Sequence, residues 1–590
     1  MAIKFGNDLD LEGNQIKNFV AHSSSVAPLV PKGGMLWWDN VNKILKCYNE
    51  SISLWKSVIT DSEGGGVLVS DYLSLADAVA QLGATPVTLY INSPQTVTAN
   101  LVIPSTLLLR VISPNVITIN NGVTLTINGP LSAGLYQIFE GTGTVVLGPG
   151  TVVEVYPQWW GAVVDGVSDD STAIQSAINT DQPVYLSRGN YGCNADIELL
   201  PGTRITGIGN LYFSGNYGIS ANNADYFQLK GFGIIGADGA SQAGVFVHNA
   251  TARWLIENLY IDHVKYGVYV TNSWIGEIRG GVIQNNTQYG IYFTNGDGNC
   301  SKGTPFSASQ GILIASNIEI VSSVVGIQLG DLTNGGSGSM HVGSVTVEKS
   351  VVHEGDGNIG VVCENTRGVH IGGYFEANAK GIVLQGEYNE SMVIEECQFW
   401  GSAGKFNPAI EMKSTTYMRQ IAIRNCFGNA LTNTITGTAI LETLVLDNNR
   451  AELEVGLLTN INAATYVTFG LSNTTGQLPR RFSLANKDLV GDPVDDIKIS
   501  QSGAIFTNEL YTATRLVRIP PADGSGMTYQ FINNNGTHAL RIRPYSTQYI
   551  RGLADSKYKE LTTNACIKLI TVTADYWDIV SQNGTINDEL

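Results

Sequence analysis

Two glutamates occupy equivalent positions in successive repeats of this sequence, and a pair of carboxyl groups is what hydrolysis of a glycosidic bond requires. When the segments after Arg253 are written beneath one another, Glu348 aligns with Glu376 and then with Trp400. Equivalent residues in a parallel stack of strands lie about 4.8 Å apart. Two carboxylates at that spacing disfavour joint ionisation, so one pKa rises and a proton donor stands beside a carboxylate. The pattern predicts an acid–base pair at Glu348 and Glu376.

Further polar and aromatic residues fall around this pair. The adjacent outward column contains Glu319 and Tyr374, and Trp400 offers an aromatic platform for a sugar ring. His341 and His370 share another outward column, where they could bind sugar hydroxyls or move protons. Outward carboxylates and histidines on a repeat protein are also common as ordinary solvated surface. Sugar contact without catalysis therefore stays open for all these residues.

The repeats themselves predict the scaffold. Each contains an alternating strand, a turn of small residues, a second alternating strand, a longer turn, and a glycine that opens a third strand. Units of this kind bury their apolar face only by stacking on neighbours, which predicts a parallel β-helix. The alignment places one inward column at Ile261, Ile283, Ile320, Val347, Phe375 and Phe399, and the anchoring glycines at Gly267, Gly290, Gly326, Gly360 and Gly381.

Composition excludes several function classes. The chain has 590 residues, 43% hydrophobic and 14% charged, which indicates a folded protein rather than a disordered one. A formal net charge of -17 repels phosphate backbones and anionic lipid, so neither nucleic acid nor a membrane is an expected partner. No apolar run approaches the roughly 18 residues of a membrane span, and the start lacks the pattern of a secretory signal. We expect no membrane insertion and no export by the general route.

The seven cysteines are scattered singly and form no metal-ligand or disulfide pattern. Those at positions 363, 397 and 426 fit the interior of the stack. The glycine-rich strings do not precede helices, so no nucleotide cradle is indicated. We predict no metal and no cofactor.

The chain divides into four predicted parts. Residues 1–62 form a short N-terminal β-rich segment, and residues 63–155 form either a neck or the first coils. Residues 156–475 form the β-helix, opened by an amphipathic helix over 171–178; a second such helix is predicted over 73–82. Residues 476–590 are expected to form a C-terminal antiparallel β-sandwich or small barrel, with a hairpin turn at Asn533 to Gly536.

Three segments carry a resemblance to a known family. YPQWWGAVVDGVSDDSTAIQSAI, residues 156–178, resembles the motif that opens pectate-lyase-like right-handed β-helix proteins. The start GNDLDLEGNQIKNF and the end KLITVTADYWDIVSQNGT resemble the terminal segments of bacteriophage tailspikes. The resemblance implies an all-β right-handed β-helix, a homotrimer made in the host cytoplasm, and attachment to a phage tail or baseplate protein through the N-terminal segment. It also implies a virion protein that binds or depolymerises host surface polysaccharide: capsule, exopolysaccharide or O-antigen.

These observations together predict a tailspike that binds and hydrolyses host polysaccharide as a glycoside hydrolase. A non-enzymatic receptor-binding or structural tail protein with the same fold is the first alternative, because fold alone does not establish function. A polysaccharide lyase is a weaker alternative: the basic residues Arg279, Lys349 and Arg367 are isolated, whereas β-elimination on a uronate favours paired ones. The virion-type termini disfavour a cellular pectinase.

Overall fold

The structure is a computed structural model that describes most of the chain. It covers residues 22–30, 32, 35–39, 44–49, 54–57, 66–83, 85–216, 218–237, 243–294, 313–330, 338–348, 358–400, 408–428, 433–435, 440–447, 449–451, 466–469, 474–475, 478–479, 481–483, 494–496, 504–508, 515–519, 528–533, 537–544, 548–551, 553, 557–571 and 576–588. The chain forms two compact units, Met1–Val164 with Thr172–Tyr185, and Asp165–Ser171 with Leu186–Leu590. No described helix is long and apolar enough to cross a membrane.

The first unit begins with a small sheet and continues with short strands. Its strands are β1 (His22–Ser24), β2 (Leu36–Asp39), β3 (Ile44–Asn49), β4 (Leu54–Ser57), β5 (Gly66–Leu68), β6 (Val87–Ile91), β7 (Gln95–Val97), β8 (Leu101–Ile103), β9 (Leu107–Val111), β10 (Ile117–Ile119), β11 (Thr124–Ile127), β12 (Leu131–Ser132), β13 (Phe139–Gly141) and β14 (Thr144–Leu147). The helices of the chain are α1 (Leu75–Leu82) and α2 (Ser171–Ile178), with 3₁₀ turns at Val69–Asp71 and Pro157–Trp160.

Strands β5 to β14 pair as coils of a solenoid. They form three parallel sheets, in the orders β12-β9-β6-β5, β13-β10-β7 and β14-β11-β8. From β6 onward, every third strand along the chain pairs, which is the connectivity of solenoid coils. Helix α1 begins where the Ser74 side chain accepts a hydrogen bond from the Asp77 N–H, and it buries Leu75 and Ala78. Both helices predicted from periodicity are present.

The second unit contains the long solenoid. Its strands are β15 (Asp165–Asp169), β16 (Val184–Leu186), β17 (Asn190–Cys193), β18 (Ile197–Glu198), β19 (Arg204–Gly207), β20 (Asn210–Phe213), β21 (Ile219–Asn222), β22 (Gln228–Lys230), β23 (Gly233–Ile235), β24 (Ala243–His248), β25 (Trp254–Glu257), β26 (Tyr260–Asp262), β27 (Tyr266–Thr271), β28 (Gly276–Arg279), β29 (Val282–Gln284), β30 (Tyr289–Thr294), β31 (Leu313–Ser316), β32 (Glu319–Val321), β33 (Val325–Leu329), β34 (Gly338–Glu348), β35 (Ile359–Glu376), β36 (Lys380–Glu395), β37 (Gln398–Trp400), β38 (Ile410–Met412), β39 (Tyr417–Arg424), β40 (Phe427–Gly428), β41 (Asn433–Ile435), β42 (Ile440–Leu441), β43 (Thr443–Asp447), β44 (Arg450–Ala451) and β45 (Tyr466–Phe469).

Three parallel faces run along this solenoid. The acidic face contains β26, β29 and β32 and continues through the last residues of β34 and β35 into β37. The tyrosine face contains β24, β27 and β30. The histidine face contains β25, β28 and β31 and continues through the middle of β34 and β35. The all-β parallel β-helix expected from the repeats is confirmed.

The strand register confirms the inward column residue by residue. Ile261 pairs with Ile283, then the ladder continues through the four further predicted positions to Phe399. Phe375 and Phe399 are fully buried, with ring centroids 5.2 Å apart. Full burial of a side chain of this size contributes about 1.5–3 kcal/mol. The column therefore fixes the register that positions every outward residue.

A glycine column lies opposite the inward column and explains why a glycine opens the third strand of each repeat. A Cβ built on Gly360 would lie 2.6 Å from Cδ1 of Phe375 and 2.5 Å from the carbonyl oxygen of Gly381. A Cβ on Gly381 would meet Phe399 in the same way. Only glycine lets the strand approach the large inward side chain, so the glycines and the inward column specify each other.

The cysteines of the solenoid are part of its interior. Cys193, Cys363, Cys397 and Cys426 are free thiols and fully buried. Burial raises the pKa of Cys363 to about 12 and raises the pKa of Cys193 and Cys397 strongly, because the thiolate loses its hydration. The interior position predicted for residues 363, 397 and 426 is confirmed.

These four thiols are expected to resist alkylation in the folded protein, since the reactive form is the thiolate and neither solvent nor reagent reaches it. Iodoacetamide labelling followed by peptide mass spectrometry should find them unmodified, with Cys47 and Cys566, which are partly exposed, as internal controls. Labelling of Cys397 at the rate of Cys566 would contradict the packing.

The aspartates of the family-like motif have a structural role. One carboxylate oxygen of Asp169 accepts hydrogen bonds from the N–H and hydroxyl of Ser171 and from the N–H of Asn194. Asp165 accepts in the same way from the N–H groups of Val167 and Ser168. The hydrogen bond from the Ser171 hydroxyl is the main cause that lowers the pKa of Asp169. The backbone N–H groups of Ser168 and Val167 lower the pKa of Asp165. The motif closes the turn before α2 and provides a cap rather than a catalytic site.

The C-terminal region is β-structure with mixed pairing. Its strands are β46 (Thr474–Thr475), β47 (Leu478–Pro479), β48 (Arg481–Ser483), β49 (Val494–Asp496), β50 (Ala504–Asn508), β51 (Arg515–Ile519), β52 (Thr528–Asn533), β53 (Leu540–Pro544), β54 (Tyr549–Ile550), β55 (Lys559–Leu561), β56 (Ala565–Thr571), β57 (Tyr576–Asn583) and β58 (Ile586–Asp588).

This region differs in one respect from the antiparallel domain expected. Strands β48, β50 and β52 pair in parallel in one sheet, and β49, β51 and β53 in parallel in a second sheet. Apart from the short pair β46–β47, the described antiparallel pairing begins where β56 pairs with β52 and β55 pairs with β53. The hairpin predicted at Asn533 is therefore wrong, because β52 and β53 belong to different sheets. The Asn533 side chain is fully buried and donates to the carbonyls of His538 and Leu561, which explains an asparagine there.

Candidate functional site

A groove of about 510 Å³ lies on the outside of the solenoid, at the corner where the histidine face turns into the acidic face. It spans three successive coils, formed by β34, β35 and the end of β36 with the start of β37. Its lining is more polar than apolar. The residues that line it include His341, Gly343, His370, Gly372, Tyr374 and Glu395.

The groove exists because side chains are missing at its floor. In earlier coils the same outward column is occupied by Lys230, Glu257 and Arg279, which are joined by ion pairs of 2.9 and 3.2 Å. The column continues through Ser316 to Gly343. The next coil has Gly372 and Gly373 at this corner. Long charged side chains cover the corner upstream, whereas the glycines here have no side chain that could cover it.

Two imidazoles form one wall. His341 and His370 are paired in register, and their Nδ1 atoms are 2.9 Å apart. The Nε2 atom of His370 lies 3.6 Å from a carboxylate oxygen of Glu395, a distance for an ion pair rather than a hydrogen bond. Partial burial, and then the charge of His370, lower the pKa of His341. This wall can accept or donate protons near neutral pH.

The opposite wall leads to the predicted acids. The Tyr374 hydroxyl donates a 2.7 Å hydrogen bond to a carboxylate oxygen of Glu376. The register places Glu376 between Glu348 and Trp400, as the repeats predicted. The Glu376 side chain is exposed, and only the backbone of Glu348 is described. Tyr374 therefore links the groove to the column of acids.

The same tyrosine–acid pairing occurs earlier on the acidic face. The Tyr260 hydroxyl donates to Asp262 at 2.7 Å, and the amides of Gln284 and Asn285 donate to the same carboxylate. Burial raises the pKa of Asp262, but these hydrogen bonds outweigh it and leave the pKa lowered; the pKa of Tyr260 rises to about 12. Asp262 is 8% exposed and fully bonded, so it is a structural counterpart of Glu376 rather than a second open site.

The predicted site residues are brought together only in part. His370 and Tyr374 line the groove, and Glu376 adjoins it through Tyr374. Trp400 packs edge-on against Phe427 with centroids 6.0 Å apart, beyond the described lining. Glu319 is exposed and pairs with Thr346, which itself pairs with Tyr374, so it lies two coils from that tyrosine.

Sequence reasoning missed two acids of the groove. Glu395 and Glu396 lie at the corner between β36 and β37 and close one end of the groove. Glu396 has a φ of 56°, a left-handed conformation that other coils give to asparagine at this corner, as at Asn317 and Asn425. Such a conformation costs a residue like glutamate about 1–2 kcal/mol. The signal was available, because the repeat alignment assigns Glu395 and Glu396 to the turn after an alternating strand.

A row of stacked tyrosines was also missed. Tyr266 stacks on Tyr289 and Tyr269 on Tyr292, with centroids 5.7 and 4.8 Å apart and nearly parallel rings. Phe246 extends the second column. The sequence signal is the repeated YGVY and YGIY. Because the ring faces contact one another, this row stabilises the tyrosine face and leaves mainly ring edges outward.

Residues 167–320 match a family model described as periplasmic copper-binding protein (NosD). No curated protein matches the chain. The described residues contain no group of three or more His, Cys, Asp and Glu side chains that could hold a metal ion.

Several solved structures are similar in fold. ORF18 of Geobacillus virus E2 is 13% identical over 74% of this chain and 76% of that chain, with a TM-score of 0.32. The tailspike of Acinetobacter baumannii phage AM24 is 12% identical over 50% and 53%, with a TM-score of 0.38. The gp42 tailspike of Acinetobacter phage vb_AbaP_AS12 is 9% identical over 74% and 82%, with a TM-score of 0.41. The chain spans about half the length of the AM24 tailspike.

The parallel ladders and the glycine column identify the fold of the chain. The chain is a parallel β-helix protein. In this β-helix the groove is set by the local sequence of three coils, so its chemistry has to be argued from its own residues.

Proposed function

We propose that this β-helix protein is a phage tailspike whose corner groove binds a host surface polysaccharide, which the neighbouring acids hydrolyse. The observation that carries the proposal is an open polar groove whose wall residue Tyr374 is hydrogen-bonded to Glu376 of the acidic column. The resemblance of three separate segments to tailspike proteins supports the virion role, with residues 1–62 as the attachment segment and a homotrimer as the assembly.

The groove suits an uncharged or weakly charged glycan. Its described lining offers imidazole, phenol, hydroxyl, amide and carboxylate groups but contains no lysine or arginine. Hydroxyl groups of sugars hydrogen-bond to all of these, whereas a polyanion would meet Glu395 and Glu396 without a neutralising cation. This favours capsule, exopolysaccharide or O-antigen segments without dense uronate or phosphate.

Hydrolysis would use Glu376 and Glu348. Stacked strands are about 4.8 Å apart, close to the roughly 5–5.5 Å carboxyl separation of retaining glycosidases and well below the inverting separation. The Tyr374 hydroxyl donates to a carboxylate oxygen of Glu376 and holds that carboxylate beside the groove. We therefore assign Glu376 as the nucleophile and Glu348 as the proton donor.

A lyase is the second candidate, because Tyr374 and the two histidines place an acid and a base in one groove. The absence of lysine and arginine from the described lining counts against it, since a uronate carboxylate would have no cation to bind. Absorbance of unsaturated uronate during digestion distinguishes the two chemistries.

Filling the groove is expected to weaken glycan binding strongly. A Cβ at Gly372 would lie 3.0 Å from the carbonyl oxygen of Glu395, a tight contact that the neighbouring strand must relieve by a shift of a few tenths of an ångström. Gly372→Trp should obstruct the groove, and circular dichroism has to show that the variant is folded before its binding is compared with that of the wild type. Retention on capsule, exopolysaccharide and O-antigen preparations should fall at least about tenfold, equivalent to about 1.4 kcal/mol.

Ile208→Trp is the matched control, since Ile208 lies at the same corner six coils earlier and is 62% exposed. If Gly372→Trp binds the glycan as well as the wild type does, the glycan site lies outside this groove.

Sedimentation of the same samples tests the proposed trimer. A monomer at micromolar concentration would contradict it.

A further inference from the structure

The contact between His341 and His370 restricts where their protons can be. Their Nδ1 atoms are 2.9 Å apart, with ring centroids 4.7 Å apart and a tilt of 59° between the rings. A hydrogen bond between two ring nitrogens needs one N–H and one lone pair, and a doubly protonated pair has no lone pair to offer. The contact therefore exists only while at least one of the two imidazoles is neutral.

Glu395 determines the direction of this hydrogen bond. The 3.6 Å between the Nε2 atom of His370 and a carboxylate oxygen of Glu395 is too long for a hydrogen bond. The negative charge of the carboxylate nevertheless favours the tautomer of His370 that carries its proton on Nε2. The Nδ1 atom of a neutral His370 then holds the lone pair, and the Nδ1 atom of His341 donates. As a result the Nε2 atom of His341 keeps a lone pair.

That lone pair lies at the floor of the groove. The position that a Cβ of Gly343 would occupy is 2.6 Å from the Nε2 atom of His341. Any larger residue at position 343 would press against the ring, so glycine leaves the nitrogen accessible. His341 is exposed and His370 half-buried, which places the accessible base at the His341 end of the relay.

We propose that Glu395, His370 and His341 form a proton relay that makes the Nε2 atom of His341 the acceptor for a hydroxyl group of the bound glycan, and that acid disables this contact. The inference rests on the proposed function of the groove. Protonation of His341 converts the acceptor into a donor, and protonation of both rings breaks the bond between their Nδ1 atoms. Glycan binding should consequently weaken as the pH falls below neutrality.

Other charged groups facing the pair do not reverse this sign. Tyr374, Glu395 and Glu396 line the same groove, Glu376 bonds Tyr374, and Arg424 pairs in register with Glu395. Free carboxyl groups titrate near pH 4, tyrosine near 10 and arginine above 12. Between pH 7.5 and 5.5 the histidines are therefore the groups of the groove that change charge.

The relay can be tested without a glycan. Exchange of the histidine C2 hydrogen, followed by peptide mass spectrometry of the full chain across pH, gives the pKa of each imidazole. We expect His341 to titrate below 6.5 and its pKa to rise in His370→Gln, because the neighbouring charge is gone. We expect Glu395→Gln to change the titration of His341 as well, because the relay reaches His341 through His370. If neither variant changes the titration of His341, there is no relay.

The second arm measures binding to oligosaccharides prepared from the bacterial polysaccharide that the wild type retains. Wild-type affinity should fall about three- to tenfold from pH 7.5 to 5.5, the effect of one lost hydrogen bond. His341→Gln keeps an acceptor but cannot titrate, so its affinity should change less than about twofold. His538→Gln, in the C-terminal region, should behave as the wild type.

The two arms separate the possible failures. A coupled titration with no polysaccharide bound at either pH would overturn the glycan contact and the proposed function, while preserving the relay. Binding with the same acid sensitivity in wild type and His341→Gln would overturn the role of His341 and leave the proposed function standing.

Discussion

Glu376→Gln is expected to lower the rate of polysaccharide cleavage by about 10²–10⁴-fold while leaving glycan binding within about threefold of wild type. The amide keeps the shape and still accepts the Tyr374 hydroxyl, but it cannot serve as a carboxylate nucleophile. Its exposed position means that the substitution should not disturb packing. The measurement is the initial rate of cleavage at saturating polysaccharide, with binding measured on the same preparation.

Glu198→Gln is the control, because Glu198 is also an exposed acid on an outward strand position of the solenoid. It should retain the full rate. Tyr374→Phe removes only the hydrogen bond and should give an intermediate loss of rate, because the Glu376 carboxylate is no longer held in place. Equal rates in wild type and Glu376→Gln would assign the chemistry to other residues.

Gly360→Val is expected to destabilise the β-helix by about 3 kcal/mol or more, or to prevent folding. Its first added carbon would lie 2.5 Å from the carbonyl oxygen of Gly381 and 2.6 Å from the Phe375 ring. The backbone cannot retreat without breaking the ladder, and the Phe375 ring is fully buried and stacked on Phe399. Thermal or denaturant unfolding followed by circular dichroism measures the loss.

Gly202→Asn provides the comparison for this substitution. Gly202 has a φ of 83° and nothing within 4 Å of an added Cβ, and asparagine tolerates left-handed backbone better than other residues. Its cost should stay near 1 kcal/mol or below. A Gly360→Val protein as stable as Gly202→Asn would mean that the glycine column does not have the close packing described.

The sequence predicts the scaffold well because the geometry of a solenoid follows from a short repeat in the sequence. The alternation of Val347, Phe375 and Phe399 with polar neighbours fixes which side chains point inward, and the stacking of coils then fixes the register. For this reason Glu348 and Glu376 were paired correctly from the alignment alone. The paired histidines followed from the same column.

The groove could not be predicted in the same way, because it depends on what is missing at a corner. In the sequence, Gly343 and Gly372 look like ordinary turn residues. Only the structure shows that earlier coils have long charged side chains at this corner, namely Lys230, Glu257 and Arg279. The approach of Glu395 to His370 likewise depends on side-chain direction at the turn between two faces. Loop and corner geometry is weakly encoded in period-two patterning.

The error at Asn533 has a related cause. A run of asparagines before glycine is a strong hairpin signal when the flanking strands lie in one sheet. Here the flanking strands β52 and β53 lie in different sheets, and residues 534–536 between them lie outside the described residues. Short-range turn chemistry does not distinguish a hairpin from the corner of a two-sheet coil.

Hydrolysis in the groove is tested by incubating the full chain with capsule, exopolysaccharide and O-antigen preparations. The release of reducing ends is measured, and the absorbance of unsaturated uronate is recorded in parallel. We predict release without that absorbance by the wild type, and its loss in Gly372→Trp but not in Ile208→Trp. Release accompanied by the absorbance would establish a lyase instead. Full release by Gly372→Trp, or binding of a glycan with no release by the wild type, would contradict the account of a hydrolytic groove.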